Sequence, residues 1–189
     1  MRLNIPNLLT WLRIFLIPVF VAVFYLSDQT LSPQHKNLIA TAVFLLAAIT
    51  DWLDGYLARK LNQTSAFGAF LDPVADKLMV AAALIILVKL GRADAMIAFI
   101  IIGREITISA LREWMAQVGA SKSIAVSMLG KVKTTFQMLA LLLLLYHETL
   151  LGVSCQGWGE WLLYVSALLT LWSMVDYLVR AMPQLQKAK

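Results

Sequence analysis

The stretch DWLDGYLARKLNQTSAFGAFLDPVADK, residues 51–77, holds four aspartates whose spacing becomes meaningful on helices. Asp51 and Asp54 are three positions apart and Asp72 and Asp76 four, so each pair projects from one face of its own helix. The connection from about Lys60 to Phe67 is short, which predicts two antiparallel neighbours carrying the pairs at comparable depth and turning them toward each other. Four carboxylates then converge.

Working outward, the chain on either side of this stretch is apolar, from Leu38 to Ile49 before it and from Leu78 to Val88 after it. A spanning helix needs about 20 residues, at about 1.5 Å each, to cross about 30 Å of hydrocarbon. Neither clean run is that long, so each crosses only by borrowing the residues that carry the aspartates. The same reasoning puts Arg104, Lys131 and Lys133 inside spans. Ionisable groups at such depth are tenable when they face one another or a wet cavity, which predicts a polar cavity open to one side of the membrane.

The whole chain reads the same way. Its 189 residues are 60% hydrophobic and 14% charged, a composition for a bilayer rather than for a soluble domain. We expect an all-α integral-membrane fold with six transmembrane helices, near residues 8–27, 37–59, 68–90, 93–116, 127–147 and 159–180, forming one membrane-embedded domain over 1–189. Thirteen of the 16 basic residues fall on one side of that layout, leaving Lys36, Lys89 and Arg92 on the other. Positive loops stay inside, so both ends and the polar cavity should face the cytoplasm. The first apolar stretch lacks a small-residue cleavage site and the amino end is not an organellar transit peptide, so a bacterial plasma (inner) membrane is expected. A single cysteine, Cys155, excludes a disulfide within the chain and a cysteine-based metal cluster. The net charge of +5 is scattered among apolar spans, not laid out as a stripe with aromatics, which argues against nucleic acid.

Four anions in a low-dielectric setting repel unless cations neutralise them. Oxygen ligands without His or Cys suit a hard ion, Mg²⁺ or else Mn²⁺, and four acids suit two of them, so Asp51, Asp54, Asp72 and Asp76 are the candidate metal ligands. Two metals about 4 Å apart can clamp the attacking and leaving oxygens of an in-line phosphoryl displacement. Gly55 and Ala58 share or border the aspartate face, and Gly68 lies across the gap, leaving room for a bulky substrate at the backbone. Pro73 directly after Asp72 is expected near a helix start. A divalent-cation transporter would also bury acids in a membrane, but it predicts acids along a crossing route, and here all four cluster on one side.

Read as D-x-x-D-G-x-x-A-R, eight residues, G-x-x-x-D-x-x-x-D, residues 51–76 match the signature of the CDP-alcohol phosphotransferase family at every fixed position. NIPNLLTWLR at the amino end, GREITISALREW from Gly103 and GKVKTTFQ from Gly130 extend the resemblance over nearly the whole chain. It implies six transmembrane helices with a short amino-terminal interfacial segment, for which residues 1–7 are available, and a homodimer among membrane lipids. It implies that Asp51, Asp54 and Asp72 hold the metals and that Asp76 is both ligand and catalytic general base. Gly55, Ala58, Arg59 and Gly68, with Ser65, would border the CDP-lipid.

The branch of the family it most resembles would transfer the phosphatidyl group of CDP-diacylglycerol to glycerol 3-phosphate. Inositol phosphate, serine or phosphatidylglycerol are the alternative acceptors. A dianionic acceptor needs cations, and Arg104, Arg112, Lys131 and Lys133 are the candidates for its phosphate. Lys131 and Lys133 diverge by about 200° on a regular helix, so one should meet substrate and the other snorkel to the headgroups. Thr10 and Arg13 are further candidates.

Overall fold

A computed structural model describes residues 5–60, 66–117, 128–150 and 152–187, with a few side chains near helix ends left out. Among them run six long helices: α1 (Ile5–Val23), α2 (Pro33–Lys60), α3 (Ala66–Lys89), α4 (Ala95–Gln117), α5 (Met128–Tyr146) and α6 (Cys155–Lys187). The strands β1 (Thr149–Leu150) and β2 (Val153–Ser154) form an antiparallel hairpin between α5 and α6. The hairpin was not expected, and α6 starts inside what reads as a Gly-rich loop. Pro73 lies well inside α3 instead of near its start. Residues 5–7 are the first turn of α1, so the described chain holds no separate interfacial helix; residues 1–4 lie outside the description.

Local chemistry sets the ends. Ser32 precedes Pro33 at the start of α2, and its hydroxyl accepts from the His35 amide at 3.4 Å. Gly91 closes α3 with φ +69°, and the Arg92 amide reaches back to the Leu87 carbonyl at 2.9 Å, a glycine-terminated helix end. Three residues on, the Asp94 carboxylate accepts from the amides of Met96 (2.8 Å) and Ile97 (3.2 Å) and caps α4.

The helices close into a ring in the order α1, α2, α5, α6, α4, α3, with α3 also reaching α5 across the middle. The α5–α6 pair packs most extensively, and Gly159 permits it: a Cβ there would lie 2.8 Å from Leu144 Cγ and 3.2 Å from its backbone nitrogen. One correction matters for the site. α2 and α3, expected to be intimate neighbours, touch only sparingly, because α1 packs against both and stands beside them.

Burial divides the bundle into two halves. Phe20, Phe44, Leu84, Leu87, Ile101, Leu141 and Leu144 form a wholly apolar core. Toward the other ends of the same helices the buried side chains turn polar: Thr10, Arg13, Asp54, Arg104, Lys133 and Gln137. Outward, Phe15, Ile85, Phe99, Leu168, Trp172 and Val179 are exposed, an apolar exterior that water would not tolerate in bulk. Two helices, Pro33–Leu57 and Cys155–Val179, are long and apolar enough to cross a membrane by themselves, and Asn7–Val23 and Val132–Tyr146 are shorter apolar helices.

Candidate active site

The acidic pairs of α2 and α3 are linked through residues of α1. Arg13, 1% exposed, donates through Nη1 to Asp51 Oδ1 at 2.5 Å and through Nη2 to Asp54 Oδ2. One helical turn earlier, the Thr10 hydroxyl donates to Asp72 Oδ1 at 2.5 Å. α1 therefore ties the acidic pair of α2 to that of α3. Asp54 lies within electrostatic reach of Asp51 and Asp72, and Asp76 within reach of Asp51 and Glu105. Thr10 and Arg13, further candidates from the sequence, thus contact the acidic side chains.

With the guanidinium between them, no three Asp, Glu, His or Cys side chains among the described residues converge closely enough to hold an ion. The donor set nevertheless fits a hard divalent cation: it offers carboxylate oxygens alone, and it has already drawn in a buried positive group. Gly55 is half-buried beside Asp54, and Gly68 is buried one turn before Asp72. The side chains of Ala58 and Arg59 and the whole of Ser65 lie outside the described residues.

A second cluster joins α4, α5 and α6. Glu105 Oε1 accepts from Arg104 Nη1 at 2.9 Å and from Lys133 Nζ at 2.5 Å. Arg104 Nη2 donates to Ser173 Oγ at 2.9 Å, and Arg112 Nη2 donates to the Tyr177 hydroxyl at 2.8 Å. Both guanidiniums lie over the Tyr177 ring, Arg104 at 5.9 Å and Arg112 at 5.1 Å from its centre. Three of the four cations expected to hold phosphate are thus gathered. Lys133 is the buried lysine, while the side chain of Lys131 lies outside the described residues.

A cavity of about 50 Å³, lined by Asp76, Lys77, Glu105, Thr134 and Gln137 among others, joins the two clusters. Sequence reasoning missed Glu105, Gln137, Ser173 and Tyr177. Glu105 follows Arg104 directly, and Ser173 and Tyr177 sit at helical spacing, which is the signal that was available.

The opposite end of the bundle is built differently. Arg92 donates to the carbonyls of Leu144 (3.2 Å) and Leu145 (3.3 Å), closing the end of α5, and burial lowers its affinity for its proton. His147, held at φ 64° after the last turn of α5, is half-buried.

The sequence that builds this layout finds its counterpart among known proteins. The sequence profile of the CDP-alcohol phosphatidyltransferases matches residues 3–172. The chain belongs to the CDP-alcohol phosphatidyltransferase family. The family is membrane-associated and generally dependent on divalent metal. Three bacterial relatives named CDP-diacylglycerol–glycerol-3-phosphate 3-phosphatidyltransferase are similar to the chain over almost its full length. That of Pectobacterium atrosepticum is 49% identical, with 94% of each chain covered. Those of Sodalis glossinidius and Escherichia coli are each 50% identical, with 96% of each chain covered.

Proposed function

We propose that this chain transfers the phosphatidyl group of CDP-diacylglycerol to glycerol 3-phosphate, giving phosphatidylglycerophosphate and CMP, by an in-line displacement assisted by two Mg²⁺ ions. The observation that carries the reading is the cavity shared by Asp76 and Glu105, where an acidic cluster suited to cations adjoins a basic cluster suited to a phosphate. The relatives' printed name fits the same donor and acceptor.

Divalent cations held by Asp51, Asp54, Asp72 and Asp76 would neutralise the pyrophosphate and favour departure of CMP. The chain's own groups do the rest. Gly55, Ala58, Arg59, Ser65 and Gly68 border the CDP moiety. Arg104, Arg112 and Lys133, with Lys131, grip the acceptor phosphate, arginine in a fork and lysine as a point charge. Held there, the acceptor's primary hydroxyl approaches Asp76, which takes its proton as the oxygen attacks the phosphorus bearing diacylglycerol. Thr10 and Arg13 position the aspartates.

The same reading makes residues 1–189 one domain of six spans in the bacterial inner membrane, with both ends and the site facing the cytoplasm. The uneven distribution of basic residues and the apolar exterior support it. A homodimer is part of the reading on family likeness alone.

Purified protein given CDP-diacylglycerol, Mg²⁺ and a panel of labelled acceptors tests the assignment. Glycerol 3-phosphate should yield phosphatidylglycerophosphate with stoichiometric CMP, and preference for serine or inositol phosphate would overturn it.

A further inference from the structure

Gln137 lies on α5, one turn after Lys133, and is 4% exposed. Its side-chain carbonyl oxygen is buried without a hydrogen-bond partner. A buried amide oxygen left unpaired is destabilising, so its persistence asks for a ligand. It lines the cavity with Asp76 and Glu105, and Glu105 receives Arg104 and Lys133 on the same oxygen, Oε1. The wall of this cavity sets two carboxylates and the unpaired amide oxygen beside two donors, Lys77 and Thr134.

What the Gln137 oxygen itself asks for is a donor, and a substrate hydroxyl supplies one. At about 50 Å³ the cavity is roomier than the about 30 Å³ that a water occupies in the liquid, yet it takes in only a hydroxyl-bearing carbon or so. The phosphate of the acceptor has its own cations next door, at Arg104 and Lys133. On the proposed activity, on which this inference rests, the primary hydroxyl is committed to Asp76. The secondary hydroxyl is left for the remaining acceptor.

We infer that Gln137 is a specificity-determining residue: its side-chain oxygen accepts a hydrogen bond from the secondary hydroxyl of the acceptor and so selects a vicinal-diol phosphate over acceptors lacking that hydroxyl. A site built to bond a hydroxyl discriminates strongly against the analogue without it, because the buried partner is then left unpaired.

The test compares glycerol 3-phosphate with 3-hydroxypropyl phosphate, which lacks the secondary hydroxyl, and with the 2-fluoro analogue, which cannot donate. Wild type should use both analogues at least about tenfold less efficiently than glycerol 3-phosphate in kcat/KM. Gln137→Met, close to the original in length, should lower kcat/KM for glycerol 3-phosphate about tenfold and change that for 3-hydroxypropyl phosphate less than about twofold. Equal losses with both acceptors, or a wild type indifferent to the missing hydroxyl, would overturn the inference. The fluoro analogue tests wild type alone, so a poorly assembled variant does not shelter the idea: if fluorine restores full efficiency, hydrogen donation is not what is read. A wild type that ignores glycerol 3-phosphate altogether would instead defeat the proposed activity, and the inference with it.

Discussion

Two clusters of opposite sign share the polar end of the bundle, and each is held by a single residue of the other sign. From α1, Arg13 draws together the two aspartates of α2 that would otherwise repel; on α4 and α5, Glu105 draws together Arg104 and Lys133. They differ in where the neutralising residue comes from. Arg13 lies 38 residues before Asp51, whereas Glu105 adjoins Arg104 in sequence. The acidic cluster therefore exists only once α1 has docked, while half of the basic one is prepared on a single helix. On the proposed function, each internal partner would be exchanged for a ligand of the same charge, a cation for Arg13 and a phosphate for Glu105.

The harshest way to break the pattern is to remove the carboxylate that belongs to the chemistry of both halves. Asp76→Asn should lower the rate of CMP release by about 10²- to 10⁴-fold, the range for loss of a general base, while melting in detergent shows the helices still assembled. A variant with near-normal turnover would remove Asp76 from the catalytic set.

Next in size, Arg13→Ala leaves Asp54 buried beside Asp51 and Asp72 without its counter-charge. Breaking a buried pair from one side costs about 3–5 kcal/mol, so metal-free protein should melt well below wild type. Addition of Mg²⁺ should recover more stability in the variant than in wild type, because the ion then supplies the missing charge. Parallel melting curves with and without Mg²⁺ would refute the comparison.

These experiments also mark what could be read before any fold was known. The six helices were legible because apolar runs shorter than a bilayer had to extend through charged residues, and the observed α2 to α5 fall within a few residues of the expected limits. That Asp51 and Asp54 share one helix and Asp72 and Asp76 the next was legible from spacing alone. The role of Arg13 was not, since nothing in a run of apolar residues tells which distant helix it will face. The short link between α2 and α3 suggested direct contact, yet a loop constrains only its ends, and α1 took up the neighbouring position. Glu105 and Tyr177 were overlooked for a different reason: an acid next to an arginine, or a tyrosine among apolar residues, reads as a local pair or as packing until a third helix brings Lys133 or Arg112 to it.

Glu105→Gln probes the basic side of the comparison with a smaller effect, because the amide still accepts a hydrogen bond but carries no charge. Arg104 and Lys133 then repel, and stability should fall by about 1–3 kcal/mol. Millimolar inorganic phosphate should restore it in the variant more than in wild type, a pattern that Mg²⁺ should not reproduce. If phosphate has no selective effect, Glu105 is not standing where a phosphate binds.

The smallest expected change comes from the rim. Tyr177→Phe keeps the ring over which Arg104 and Arg112 lie but removes the hydroxyl that holds Arg112 at 2.8 Å. Arg112 is exposed, so its backbone position and charge persist, and what it loses is a fixed direction. One neutral acceptor is worth about 1 kcal/mol, which raises KM for glycerol 3-phosphate about fivefold. The reacting hydroxyl and Asp76 are untouched, so kcat should stay within about twofold. Steady-state kinetics over a range of acceptor concentration separate the outcomes. A fall in kcat at constant KM would mean that the tyrosine serves the reacting end of the cavity, and that the division between a cluster for chemistry and a cluster for phosphate is drawn in the wrong place.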